Sequence, residues 1–280
     1  MVDLPGLSTT ETKDSDLPQL TVADFQNTMY LNCTPDTPLY KKLDMLSQTL
    51  PLTIKDLKNI PTESAMSLIA ECFVKKGCFI PYYPNLGVEI THMRHIALRP
   101  FWPRLQKNAY SFGLVDSSGR LMGVATNFDA VDFPSLPEYT SPEQQNSKHS
   151  FITQIHEYLD NLCNRAKDQL PDESQLERGA MLDKYMYGIP FNALTPSENL
   201  YVMYRLMEET HRRAVEHGFQ YCMSENSHPY TQNLALFFGC DRLVTDHAHD
   251  YVNSKGEKPF DLVPEKIVVT LDLKTYPKRA

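Results

Sequence analysis

Nowhere does this chain carry the roughly 20 consecutive apolar residues that a membrane-spanning helix needs, so no membrane partner is expected. It also lacks any surplus or cluster of basic residues: 27 lysines and arginines face 35 aspartates and glutamates, a formal net charge of −8. A nucleic-acid surface requires clustered cations to release phosphate counterions, and nucleic acid is excluded as a partner on that ground. The six cysteines, Cys33, Cys72, Cys78, Cys163, Cys222 and Cys240, are scattered with no C-x-x-C pair, which argues against a zinc site or a disulfide framework. The opening stretch MVDLPGLSTTETKDSD has neither a basic start nor an apolar core, so it does not read as a secretory signal. These absences together predict a cytoplasmic protein with reduced thiols. Asn32-Cys33-Thr34 is formally a glycosylation sequon, without meaning in that compartment. No G-x-S-x-G elbow is present either, so Ser227-His228 is not read as a nucleophile pair.

What is present suffices for a sizeable core: 280 residues, 41% of them apolar. Residues 1–50 read as an N-terminal extension, polar and partly disordered at its start, and residues 51–280 as one domain. Leu52 to Leu57 alternates like a first strand. Thr62 or Ser64 can cap a helix with Met66, Ile69, Ala70 and Phe73 on one face, stopped by Gly77. Val88 to Leu105 predicts a second helix broken at Pro100 and Pro103. Tyr110–Val115 and Leu121–Asn127, joined by Asp116-Ser-Ser-Gly119, form the clearest hairpin. A helical insertion is expected at about 132–182, with Ile152, Ile155, Leu159 and Leu162 on one face. Lys184 to Leu194 suits a strand, with a bulge near Gly188-Ile-Pro190. Arg242–Thr245 and Lys266–Leu273 close the sheet. Strands alternate with helices throughout, so the fold class is mixed α/β.

The densest signal lies in Thr195 to Cys240. Thr195 can cap a helix, Pro196 sits where a missing N–H costs nothing, and Glu198 can bond back to the Thr195 backbone. The helix continues to His217 and stops at Gly218. Glu208 and Glu209 can pair with Arg212 and Arg213. A short strand and a second short helix ending at Gly239 follow.

With its flanks, this order (strand, T-P-x-x-x, helix, H-G-F, strand, polar loop, short helix, F-G-C) resembles the GNAT superfamily. More narrowly it is similar to the invertebrate arylalkylamine (dopamine-like) N-acetyltransferases. MSLIAECFVKKGCFIP (66–81), SFGLVDSSGRLMGVATN (111–127) and the stretch from Ala248 to Lys274 resemble that family's first helix, second and third strands, and C-terminal hairpin. The resemblance spans about residues 52–274 in order. It implies a GNAT-like central sheet, mixed but mostly antiparallel, flanked by helices and splayed at the fourth strand.

The resemblance also implies acetyl-CoA as co-substrate, a small-molecule primary amine as acceptor, and no metal. The fourth strand and its end, Ala193, Leu194 and Thr195, would face the pantetheine arm. The pyrophosphate loop would fall on Glu198, Asn199, Leu200, Tyr201, Val202 and Met203. Thr231 and Asn233 match further cofactor positions. The family's basic residue and glycines are missing from that loop: Glu198 stands at the basic position, and its charge opposes a diphosphate. Nor has the loop Val74–Cys78, where those enzymes keep a glutamate base, any acid. The family's proton-donating tyrosine position is Ala235; Tyr230, one helical turn earlier, can substitute. The catalytic candidates are therefore Tyr230, Thr195 and His249, the last from Asp246-His-Ala-His-Asp250. Tyr82, Tyr83, Trp102, Tyr185 and Tyr187 are candidates to wall an amine site; packing of a helical lid explains them equally well. Glu89-x-x-His92-x-x-His95 is read as a surface patch or the lining of a substrate loop rather than as a metal site.

Two functions follow. One is an N-acyltransferase moving an acetyl or longer acyl group from CoA to a primary amine, an arylalkylamine among the options. The other is a non-catalytic GNAT-fold protein that binds a small molecule or protein partner. The sequence leaves the oligomeric state open.

Overall fold

The computed structural model describes residues 19–132, 147–172, 176–190 and 193–277. Two short helices lead in: α1 (Val22–Gln26) and α2 (Pro38–Thr49), the latter capped by Thr37, whose hydroxyl accepts from the Tyr40 N–H. Strand β1 (Thr53–Asp56) follows, then α3 (Thr62–Lys76), which ends at Gly77 as its sequence predicts. The expected helix over 88–105 is three pieces: α4 (Ile90–Met93), a π-helical turn (Arg94–Leu98) and α5 (Trp102–Lys107). The break falls at Pro100, whereas Pro103 lies in the first turn of α5, where its missing N–H is harmless.

Strands β2 (Phe112–Val115) and β3 (Leu121–Asp129) form the expected hairpin, with Gly119 at φ +83° in the turn. Helix α6 (Ser147–Arg165) supplies the inserted helix. Strand β4 spans Met181–Gly188. The Lys184–Leu194 strand therefore starts three residues too late and ends too late: Pro190 has no N–H to extend a ladder. Its bulge is also displaced. Met186 pairs with Thr126 and Lys184 with Asn127, leaving Tyr185 as the extra residue. Then come α7 (Pro196–Glu216), β5 (Tyr221–Asn226), α8 (Pro229–Phe237), β6 (Asp241–His247) and β7 (Val268–Thr275).

The seven strands lie in the order β1-β2-β3-β4-β5-β7-β6. Every neighbouring pair is antiparallel except β4 and β5, which run parallel. That parallel pair is joined only from Met181–Tyr221 to Lys184–Ser224, although both strands continue. Beyond Lys184 they part, and the sheet is splayed at its fourth strand.

One core lies on the α3–α6 face, with Met66, Ile69, Leu162, Phe128 and Leu271 buried. Another lies on the α7–α8 face, with Leu200, Val202, Leu206, Phe237 and Phe112. Helix α3 presses on β4 so closely that a Cβ at Gly188 would stand 2.7 Å from the Ile69 Cα. Residues 19–50 pack onto the α7–α8 face: Phe25 is buried against Tyr204 and Phe237, and Tyr30 meets Phe237 and Phe238. No described helix is long and apolar enough to cross a membrane.

Candidate active site

Where β4 and β5 diverge, their unpaired ends leave space on both faces of the sheet. On the α7–α8 side a cavity of about 460 Å³ is lined by Lys184, Tyr187, Asn199, Met203, Tyr230 and Thr231, among others. On the α3–α6 side a second cavity of about 790 Å³ is lined by Phe79, His156, Asp160, Cys163, Asp183 and Tyr185. Phe73, Gly77, Lys184, Tyr185, Glu225 and Ser227 line both. The two cavities therefore meet at the splay.

The first cavity offers two polar atoms that have no hydrogen-bond partner among the described residues. Lys184 Nζ makes no hydrogen bond and sits 5.0 Å above the Tyr187 ring; burial holds its ammonium below the usual lysine range. Asn199 Oδ1 is likewise unpaired, while its Nδ2 donates to the Leu194 carbonyl at 3.3 Å. Orphaned buried polar groups are costly, and here a donor and an acceptor line one elongated space. At its rim α8 begins, with the His228 ring Nδ1 accepting from the Tyr230 N–H at 3.1 Å.

The N-terminus of α7 is closed. Glu198 Oε2 accepts from the Thr195 N–H at 2.8 Å, and Thr195 Oγ1 accepts from the Glu198 N–H at 3.2 Å. Asn199 N–H donates to the Thr195 carbonyl, and Pro196 has no N–H to offer. The leading segment lies alongside through side-chain contacts. Leu20 N–H donates to Ser197 Oγ at 3.0 Å, and Gln26 Nε2 donates to Asn233 Oδ1 at 2.8 Å. Amides that would otherwise attract an anion at a helix start are largely engaged.

In the second cavity the carboxylates are Asp160, Asp183 and Glu225. Cys163 Sγ donates to Glu225 Oε1 at 3.5 Å. Burial, with Asp160 adding to it, lifts the Glu225 carboxyl to about 7. Burial also drops the His156 imidazole to about 4, so it is neutral at pH 7.

The structure separates the residues named from sequence. Asn199, Met203, Tyr230, Thr231, Tyr185 and Tyr187 line the first cavity. Leu200, Tyr201 and Val202 turn into the α7–α8 core instead. Ala193 is exposed, and Thr195 is occupied with its cap. Trp102 is buried, its indole N–H donating to Thr62 Oγ1 at 3.3 Å. Tyr82 packs against the α3–α6 core, and the Tyr83 hydroxyl donates to Asp261 at 3.2 Å. His249 Nδ1 bonds the Val263 carbonyl at 3.0 Å, and the residue lines neither cavity. His92 Nδ1 accepts from the Glu89 N–H, closing a helix cap. No cluster of three or more His, Cys, Asp or Glu residues suited to a metal occurs among the described residues. Sequence reasoning missed Lys184 and Glu225; in MLDKYMYG and YCMSEN each stands beside other polar residues, and no local signal singles it out.

No protein-family model matches the chain. Among curated proteins, the beta-alanyl-bioamine nonribosomal peptide synthetase ebony of Drosophila melanogaster is 27% identical over 172 residues, 60% of this chain. The match covers 18% of that protein, so the chain spans about a fifth of its curated relative. Among solved structures, the C-terminal condensation domain of Ebony in complex with beta-alanyl-dopamine superposes with a TM-score of 0.67 at 24% identity, covering 81% of this chain and all (100%) of that one. A putative arylalkylamine N-acetyltransferase 7 from Aedes aegypti gives 0.58 at 14% identity, over 80% of this chain and 87% of its own. The polyamine N-acetyltransferase of Drosophila melanogaster gives 0.53 at 13%, over 80% and 100%. The chain has the fold of the GNAT arylalkylamine N-acetyltransferases.

Proposed function

We propose that this protein joins an acyl group, delivered as a pantetheine thioester, to a small primary amine. The observation that carries this reading is the meeting of two cavities at the splay, one on each face of the sheet. A thioester arm in the first cavity and an amine in the second bring carbonyl carbon and nitrogen together at the shared residues. Holding two reactants in that relation removes most of the entropic cost of a bimolecular step. The unpaired Lys184 ammonium and Asn199 carbonyl complement the alternating amides of a pantetheine arm. Tyr230 lines the first cavity, and its hydroxyl is the group we assign to protonate the departing thiolate. Acetyl-CoA is the simplest donor of this class. Dopamine is the acceptor to try first, because the superposed Ebony domain holds beta-alanyl-dopamine. A cytoplasmic location suits the six free thiols.

One observation favours a donor without the nucleotide half of CoA. The start of α7, to which the family resemblance assigns the pyrophosphate, is capped by Glu198, and the segment from Leu20 to Gln26 lies beside it. An arm tethered to a carrier protein, as a nonribosomal peptide synthetase uses, needs no such site. The test is amide formation, followed by mass spectrometry, from dopamine with acetyl-CoA, beta-alanyl-CoA, and the corresponding pantetheine and carrier-bound thioesters. Amide from any donor supports acyl transfer, and the preferred donor identifies the carrier. No amide from any of them leaves a non-catalytic binding protein.

A further inference from the structure

The acyl-transfer reading needs a group that takes a proton from the amine, and the loop Val74–Cys78 offers no acid. Glu225 stands on β5 one residue beyond Ser224, the last residue of that strand paired with β4. Of the carboxylates lining either cavity, it alone lines both. Among the described residues, its one hydrogen bond from another side chain comes from the Cys163 thiol, a weak donor. Among the described residues no lysine or arginine forms an ion pair with it. A carboxylate at the junction of two cavities, so lightly engaged, has lone pairs left for a substrate ammonium.

We propose that Glu225 is the proton acceptor for the attacking amine, a role that rests on the acyl-transfer reading. The amine arrives through the second cavity as R–NH₃⁺ and gives one proton to the Glu225 carboxylate. Its lone pair then forms the C–N bond at the thioester carbonyl, and the C–S bond breaks with its electron pair on sulfur. Tyr230 protonates the thiolate and recovers its own proton by taking the second one from nitrogen, so the products are amide and thiol. The proton on Glu225 returns to solvent when they depart.

The surroundings suit that task. Asp160, Cys163 and His156 face the site from α6, Asp183 and Lys184 from β4, Lys76 from α3, and His228 from the turn after β5. Burial first, then Asp160, raises the Glu225 carboxyl to about 7, while Lys184 pulls weakly the other way. A base poised near working pH is the efficient one. His156 is a poor rival, because burial disfavours its protonated form and it lines the second cavity only. Asp160 and Asp183 also line only that cavity.

The experiment is the pH profile of kcat/KM for the wild type, Glu225→Gln and Glu225→Asp, with the best donor found and dopamine. In the wild type the rate rises with pH through a limb near 7. Glu225→Gln is expected to lose that limb and about 10²-fold or more of the rate at neutral pH, with the KM for thioester unchanged. It should regain rate only where the amine is deprotonated in solution. Glu225→Asp keeps a carboxylate and is expected to keep a limb, displaced and at lower rate; should the glutamine variant not fold, this limb decides. A glutamine variant within about threefold of the wild type, its limb intact, overturns the assignment while acyl transfer stands. A wild type that forms no amide at any pH overturns both.

Discussion

At the scale of single residues, the donor preference proposed above turns on Glu198. Its carboxylate closes the start of α7 through the Thr195 N–H, and its charge stands where the helix dipole would otherwise favour an anion. Glutamine completes the same cap. Glu198→Gln is therefore expected to leave the melting temperature nearly unchanged and to tighten CoA binding by up to about tenfold, the ~1.4 kcal/mol that a relieved charge clash can return. A pantetheine thioester, which has no pyrophosphate, should bind both proteins equally in calorimetry. Weaker CoA binding by the glutamine variant would show that Glu198 assists the donor. This cap was legible from T-P-S-E because its partners lie three residues apart. Glu225 and Lys184 were not legible, since their chemistry arises from the parting of β4 and β5 and from burial by helices distant in sequence. His249 was named from a family resemblance that sets this segment beside the acceptor pocket, but the chain turns into a 3-10 helix at Ala248 and the Val263 carbonyl bonds its ring nitrogen.

At the scale of elements, the site depends on how tightly α3 and α7 hold the sheet. A methyl at Gly188 would meet the Ile69 backbone, with its nitrogen at 2.9 Å, and backbone cannot step aside as a side chain can. Gly188→Ala is expected to lower stability by about 1–3 kcal/mol, the usual cost of overpacking. Urea unfolding reads this directly; an unchanged midpoint would mean that α3 moves freely on β4. On the other face, Arg213 is buried and bonds Glu209 at 2.7 Å, Asp56 at 3.0 Å and the Ala109 carbonyl, tying α7 to the edge of the sheet. Burial raises the Glu209 carboxyl, but hydrogen bonds from Arg212 and Arg213 outweigh it and hold the group below 4.5. A lowered carboxyl stabilises the fold above its unfolded value, and that contribution is lost as pH falls through the folded value. Arg213→Met, which leaves Glu209 its bonds from Arg212, should cost about 1.5–3 kcal/mol at pH 7, and its deficit against wild type should shrink as pH falls below the usual glutamate range. A deficit constant with pH would mean that Arg213 acts through packing alone. The positions of these helices followed from their apolar spacing. The β4 boundaries did not, because Met181 and Leu182 directly follow a polar stretch and Pro190 interrupts the run beyond.

At the scale of the whole molecule, residues 19–50 belong to the architecture around the candidate site. Residues 19–30 bridge α7 and α8, with Leu20 on Ser197, Gln26 on Asn233, and Phe25 and Tyr30 on Phe237. This segment covers the outer end of the first cavity's helices and leaves the splay untouched. If that cover restricts the donor to a bare pantetheine arm, removing it should change donor preference without changing the chemistry. Deleting residues 1–36 leaves α2 and its cap residue Thr37 in place. The deletion is expected to raise kcat/KM with acetyl-CoA relative to acetyl-pantetheine by about tenfold, equivalent to ~1.4 kcal/mol of recovered nucleotide binding. Exposure of Tyr204, Phe237 and Phe238 should lower the melting temperature in parallel, since large aromatic surfaces lose their burial. Combining the deletion with Glu198→Gln removes both obstacles at one helix end, and their effects on CoA should then exceed either alone. An unchanged ratio of the two donors in the deleted protein would place the nucleotide elsewhere and leave the segment a purely structural brace.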